Sequence, residues 1–252
     1  MFPHPIQKSN ITARVSYRVI LYVAVIFWIL PLLAMLMISI RPLSDINSGN
    51  FYGWPTEFSL YDNYTQIFTL TPMFQYFFNS IIITIPTVLG TLILSSLAGY
   101  ALAKHNFRGN FLIFALFIAG NFVPAQILMI PVRDLTLKFG IYDTKMGLIL
   151  FHTAFQTGFC TFFLRGFIKE LPHELVESAR IDGASELRIF WNIILPLVRP
   201  ALAALAVLEF TFVWNDYFWA LVLVQGDEAR PVTLGIQALQ GRRTSFWHLV
   251  SA

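Results

Sequence analysis

Long apolar runs alternate with short polar breaks along this chain, at a spacing that predicts helices crossing a membrane. Apolar stretches cover residues 17–40, 76–103, 111–130, 146–167 and 201–224, each near or above the roughly 20 residues that about 30 Å of hydrocarbon requires of a helix. The expected fold class is all-α, a polytopic transmembrane helix bundle with about five spans. The connection 41–75 is long, and Gly49, Gly53, Pro55 and Pro72 punctuate it; it reads as an extracytoplasmic loop. Between the fourth and fifth runs the pattern changes to a charged segment, ELVESARIDGASELRIFWNIILP, from Glu174 to Pro196. Pro172 suits a helix start, Asp182 with Gly183 a helix end, and Ser185 the cap of a second helix. The segment is expected to form a helix, a turn and a helix across the end of the bundle. A charge run usually means only a solvated face, but a loop this polar between two spans also suits a soluble partner.

Composition supports the lipid assignment: 56% of residues are hydrophobic and 12% charged, against about 25% charge in soluble domains. The net charge of +3 fits basic membrane flanks, and no basic stripe with interleaved stacking aromatics points to nucleic acid. The larger share of the 17 Lys and Arg, including Lys8, Arg14, Arg18, Lys104, Arg165 and Arg180, falls on the side of the charged segment, whereas Arg41, Lys145, Arg230, Arg242 and Arg243 fall on the other. That bias places the N-terminus and the charged segment in the cytoplasm. Lys8, Arg14 and Arg18 precede the first apolar run without a small-residue cleavage site, so the run reads as a retained span. The one cysteine, Cys160, allows no internal disulfide and reads as a packing residue.

Within the charged segment, Glu177, Ser178 and Ala179 are followed by Gly183 and then by Ile193, Leu195 and Pro196. This spacing resembles the EAA signature of ABC-importer permeases. From Asn79 onward further local matches narrow the resemblance to the maltose-type, carbohydrate-uptake permeases: Asn79–Ser80, Ala98 to Leu102, Phe107 to Gly109, Pro124, Pro131, Gly147 to Leu150, Pro172, Glu174, Leu175, Asp182 to Ala184, and Trp214 to Asp216. Ser178 departs from the usual first alanine of the signature. A sixth span, which the family carries after Trp247, is expected beyond the C-terminus: 245–252 resembles only its beginning, and the chain reads as truncated. The implied organisation is a cytoplasmic N-terminal segment, 1–16, and a permease domain, 17–252, containing a cytoplasmic coupling loop at 165–200.

The resemblance implies partners: a second homologous permease subunit, a dimer of ATPase subunits, an extracytoplasmic solute-binding protein, a sugar substrate and membrane lipid. It implies no cofactor in this chain, since ATP and Mg would be bound by the ATPase. Coupling would fall to Glu177, Ser178, Ala179, Asp182, Gly183, Ala184 and Pro196. In that reading small Ser178 and Ala179 let the partner approach, Glu177 pairs with a partner cation, and Gly183 permits a turn that a side chain would obstruct.

Inside the spans polar groups are costly and tend to face a pathway or a partner. Glu209 and Asp216 are seven residues apart, which on a continuous helix puts them on nearly one face with Phe212 between. These three, with Asn79, Gln156 and Asn215, are the candidate translocation path; Asn121 is a further candidate for an interhelical hydrogen bond. Trp219 reads as an interfacial anchor. The histidines His4, His105, His152, His173 and His248 are scattered, and neither a P-loop nor a GxSxG elbow is present. The alternatives are an ABC permease for another solute such as glycerol phosphate, and a membrane anchor of a redox enzyme that uses Glu209, Asp216 and His152 for protons.

Overall fold

The structure, a computed structural model, describes residues 10–239 and 247–251. Lys8, His4, Arg242, Arg243 and part of the 245–252 stretch lie outside the described residues. The described residues are helical, without a strand, and the chain divides into two compact units, Met1–Thr71 with Ile236–Ala252, and Pro72–Gly235.

In the first unit α1 (Ile11–Ser39) starts ahead of the expected residue 17 and is solvent-accessible along its whole apolar window. An apolar helix of that length with an uncovered surface is stable in lipid rather than in water. The 41–75 connection, expected as a loop, contains α2 (Leu43–Asn47) and α3 (Leu60–Leu70). Arg41, wholly buried, organises it. Its guanidinium donates to the carbonyls of Asn50 (2.8 Å) and Gly53 and lies 3.5 Å from Asp45, whose carboxylate accepts from the backbone and hydroxyl of Thr56. Arg41 therefore serves as structural glue as well as a basic flank.

The second unit is built on α4 (Met73–Lys104) and α7 (Lys145–Glu170), which with α1 are the uninterrupted spans among the described residues. Along α4, Ser80, Thr84, Thr87, Thr91 and Ser95 recur at helical spacing and are all buried. Short side chains let helix backbones approach: a Cβ added at Gly99 would stand 3.2 Å from the backbone nitrogen of Arg165 on α7. Thr87 and Ser95 return their hydroxyls to the carbonyls of Ile83 and Leu92 on their own helix, whereas the Thr91 hydroxyl in the same stripe is buried without a hydrogen-bond partner among the described residues.

Two expected spans are broken. The run 111–130 forms α5 (Asn110–Asn121) and α6 (Ala125–Lys138), bent by 102°, because Pro124 lacks the N–H that would continue the helix. The run 201–224 forms α11 (Arg199–Trp214) and α12 (Phe218–Leu223), separated at 215–217. Between α7 and α11 lie α8 (His173–Ile181), α9 (Glu186–Ile189), a π-helical stretch (Phe190–Ile194) and α10 (Leu195–Leu197), which bends by 75° into α11. α13 (Val232–Ala238) follows, and α14 (Trp247–Val250) packs on α1, α2 and α3 in the first unit. Among the described residues three helices are long and apolar enough to cross a membrane, or up to five if each bent pair is one span.

Candidate functional site

The charged segment folds as its residues dictate. Pro172 precedes α8, and Asp182 ends it. Gly183 then adopts φ +77°; its N–H bonds the carbonyl of Arg180 (3.0 Å), and that of Ala184 bonds the carbonyl of Ala179 (2.9 Å). These two bonds are the Schellman pattern, which satisfies carbonyls that a helix end leaves open. The Ser185 hydroxyl accepts from Arg188 N at the start of α9, as a serine cap should. Downstream, Leu195 N bonds Phe190 O five residues back, and this widened turn lies where the Pro196 ring would otherwise crowd the carbonyl of Asn192.

One face of this helix pair is keyed into the bundle. Val176, Ala179, Ile189, Phe190 and Ile194 are buried in a cluster with Tyr100, Leu164 and Ile168. The opposite face is open: Glu177 and Ser178 are exposed, as are Ile181 (86%) and Leu187 (65%). The sequence reading did not single out Ile181 or Leu187, because which side of so short a helix is covered depends on the elements beneath it.

Several coupling assignments change place accordingly. Ala179 faces the cluster, so its small size serves the chain's own packing, while Ser178 faces outward. Gly183 is not guarded by sterics, since an added Cβ would meet nothing within 4 Å; its requirement is the left-handed backbone. Asp182 is exposed, Ala184 half-buried, and Pro196 half-buried near the bend rather than on the open face.

A polar clasp closes the segment onto α4. Glu186 accepts from Arg180 Nε (2.7 Å) and from the Tyr100 hydroxyl (2.7 Å), with His105 Nε2 at 3.3 Å. The Arg180 bond, with Tyr100 adding to it, holds the Glu186 carboxyl below the usual range despite partial burial. Nearby, Lys104 donates to the carbonyl of Leu171, and Arg165 donates to that of Leu102 while lying 3.9 Å over the Phe114 ring.

The candidate path residues separate into groups. Asn79 donates to the carbonyls of Glu228 and Arg230 and accepts from Lys145 (2.9 Å), so it ties the second turn of α4 and the start of α7 to the 224–231 loop. Asp143 fixes the same loop by accepting from the N–H groups of Gln225 and Gly226. Glu209 is wholly buried against α7, where Cys160 donates to it at 3.2 Å; Cys160 is thus a partner as well as a packing residue. Glu209 and Asp216 do not share one helix face, because α11 ends at Trp214. Asp216 lies in the break, accepts from the N–H groups of Trp219 (3.2 Å) and Ala220 (3.0 Å) at the start of α12, and stands 3.4 Å from His152 Nε2 on α7. Trp219 is buried with its ring 3.9 Å from that of Phe151, a core position rather than an interfacial anchor. Phe212 and Asn215 are exposed and Gln156 is half-buried; Asn215 and Asn121 each return a hydrogen bond to their own helices.

This arrangement, broken spans joined by a turned helix pair with one keyed and one open face, agrees with sequence comparison. Residues 91–249 match the model of the family described as binding-protein-dependent transport system inner membrane component. The chain belongs to that family. It is a transporter permease subunit, and the redox-anchor alternative is set aside. The osmoprotective compounds uptake permease protein GgtD of Synechocystis sp. is 33% identical over 252 residues, covering 98% of this chain and 85% of the relative. The diacetylchitobiose uptake system permease protein NgcG of Streptomyces coelicolor is 32% identical over 226 residues, 90% of this chain and 74% of the relative. Among solved structures, a chain of a bacterial ABC transporter involved in import of the acidic polysaccharide alginate superposes with a TM-score of 0.78 at 23% identity, over 97% of this chain and 91% of that one; the likeness extends to the fold.

Proposed function

We propose that this permease carries a sugar or oligosaccharide across the inner membrane by alternating access, driven by ATP hydrolysed in a separate pair of ATPase subunits. A second, similar permease completes the pathway, and an extracytoplasmic binding protein delivers the solute. ATP and Mg belong to the ATPase, and this chain holds no cofactor. The observation that carries the reading is the helix pair at α8 and α9, anchored through Val176 and Ile189 and open through Glu177, Ile181 and Leu187. Burial of Val176 alone stabilises the anchor by about 1.5–3 kcal/mol, so a push on the open face moves the bundle instead of peeling the helix away. ATP binding closes the ATPase pair, α8 moves with it, and the cavity turns outward. Gln156, Phe212 and Asn215 are the remaining path candidates, since Asn79, Glu209 and Asp216 are engaged in holding helices together. The cargo class is supported by the names of NgcG and of the alginate importer, whereas GgtD is named for osmoprotective compounds. Thermal-shift titration of the cognate binding protein with oligosaccharides and with small osmolytes tests it: stabilisation by osmolytes alone would remove the saccharide assignment.

The membrane orientation has its own test. With Cys160 replaced by serine, a cysteine at Gln225 is expected to react with an impermeant thiol reagent added to intact cells, and a cysteine at Ser185 only after the cells are opened. Outside labelling at Ser185 would place the helix pair away from any cytoplasmic ATPase.

A further inference from the structure

Glu186 joins three elements that the coupling reading treats separately. It belongs to α9, receives Arg180 from α8, and receives Tyr100 from the last turns of α4, with His105 just beyond that helix. The Arg180–Glu186 pair is half-exposed, with side chains 40% and 46% accessible, and taken alone such a pair contributes under about 1 kcal/mol. Tyr100 changes its meaning. Its ring is 5% exposed and fixed between Phe190 (5.7 Å) and His105 (5.4 Å), so the hydroxyl meets the carboxylate from a rigid position, and a hydrogen bond to a charged acceptor is of the stronger kind. α9 runs without a break through the π-helical stretch into α10, Glu186–Leu197, and Glu186 is the first residue of that continuous helix. Ile189 and Phe190 bury it, but apolar burial is non-directional. The Glu186 carboxylate adds the directional contact between the start of this helix and α4.

We propose that Glu186 is a positioning residue that makes α8, α9 and the Tyr100 end of α4 move as one body, so that a displacement imposed on the open face of α8 is passed to a membrane-spanning helix. The inference rests on the coupling function proposed above and names the route by which motion leaves the helix pair. Glu177 and Ile181 would receive the push; Glu186 delivers it.

The test uses the complete importer with its ATPase subunits, Cys160→Ser throughout, and nitroxide labels at His173 on α8, to the side of the open face, and at Leu97 on α4. In the otherwise unaltered protein the label-to-label distance is expected to stay the same, with the same width, when MgATP and vanadate are added. In Glu186→Ala it is expected to shift on nucleotide addition by more than the ~1–2 Å of an ordinary helix adjustment, with a smaller shift in Glu186→Gln. Tyr100→Phe, which removes one hydroxyl and keeps the buried ring, is expected to shift in the same direction, so the result does not depend on tolerance of the alanine. A purely static staple would alter the distance before nucleotide is added and leave no nucleotide-dependent change. That pattern, or variants indistinguishable from the parent, would overturn the proposal. An ATPase that fails to copurify with the unaltered chain would instead overturn the coupling function itself, and this inference with it.

Discussion

Gly183→Val is expected to leave the permease in the membrane and associated with its partners while solute-stimulated ATP hydrolysis and uptake fall together. The residue sits at φ +77° with open space around its Cα, so valine meets no neighbour; it meets its own backbone. A left-handed conformation costs an L-residue about 1–2 kcal/mol, and the β-branch adds to that, which disfavours the turn roughly 5- to 30-fold. The two Schellman bonds to Arg180 and Ala179 are lost with it, and α9 is re-aimed against α8. Gly183→Asn is the discriminating control, since asparagine tolerates this region; near-normal coupling is expected. If valine and asparagine are equally impaired, the open face near Gly183 demands the absence of a side chain, and the conformational argument fails. Glu177→Lys tests the same surface by charge. Glu177 is exposed and its reversal is nearly neutral for folding, so lost uptake with retained assembly is expected from repulsion at the partner, and unchanged uptake would remove Glu177 from the coupling surface.

Asp216→Ala is expected to destabilise the second unit by about 1.5–5 kcal/mol, seen as a lower melting temperature and reduced yield of assembled complex. Two effects combine: the N–H groups of Trp219 and Ala220 lose their cap, typically about 0.5–2 kcal/mol, and buried His152 loses the carboxylate 3.4 Å away, about 1–3 kcal/mol for a stranded polar group. Asp216→Asn separates structure from pathway. Asparagine keeps one acceptor oxygen for the start of α12 but sets its amide nitrogen against donors that the second carboxylate oxygen now serves, so a fall in melting temperature smaller than that of Asp216→Ala is expected, with assembly retained. Normal assembly of Asp216→Asn with transport abolished would show that the charge itself serves the route, and would return Asp216 to the translocation path.

Much of this protein was legible in one dimension. A span needs about 20 apolar residues whatever lies beside it, so α4 and α7 were found within a few residues of their ends, and Pro172, Gly183 and Ser185 carry their helix starts and stops locally, in side chains whose preferences act over one turn. The signature of Glu177, Gly183 and Pro196 marked the segment's family because spacing along a chain is itself a sequence property.

What depended on neighbours was not legible. Periodicity placed Glu209 and Asp216 on one face, yet a break at 215–217 sends Asp216 to the start of α12 and to His152, and the latter contact, 64 positions back along the chain, is one that no local pattern encodes. Ala179 looked free to receive a partner until α8 was seated on Tyr100, Leu164 and Ile168. The meeting of Glu186 with Tyr100, 86 residues away, exists only because α4 and α7 pack closely past Gly99 and bring their ends to the same corner. Local stereochemistry determined where helices begin and turn; which faces are covered, and so which charges clasp and which stay open for a partner, was decided by long-range packing, because burial depends on all the atoms that surround a residue and not on those that precede it.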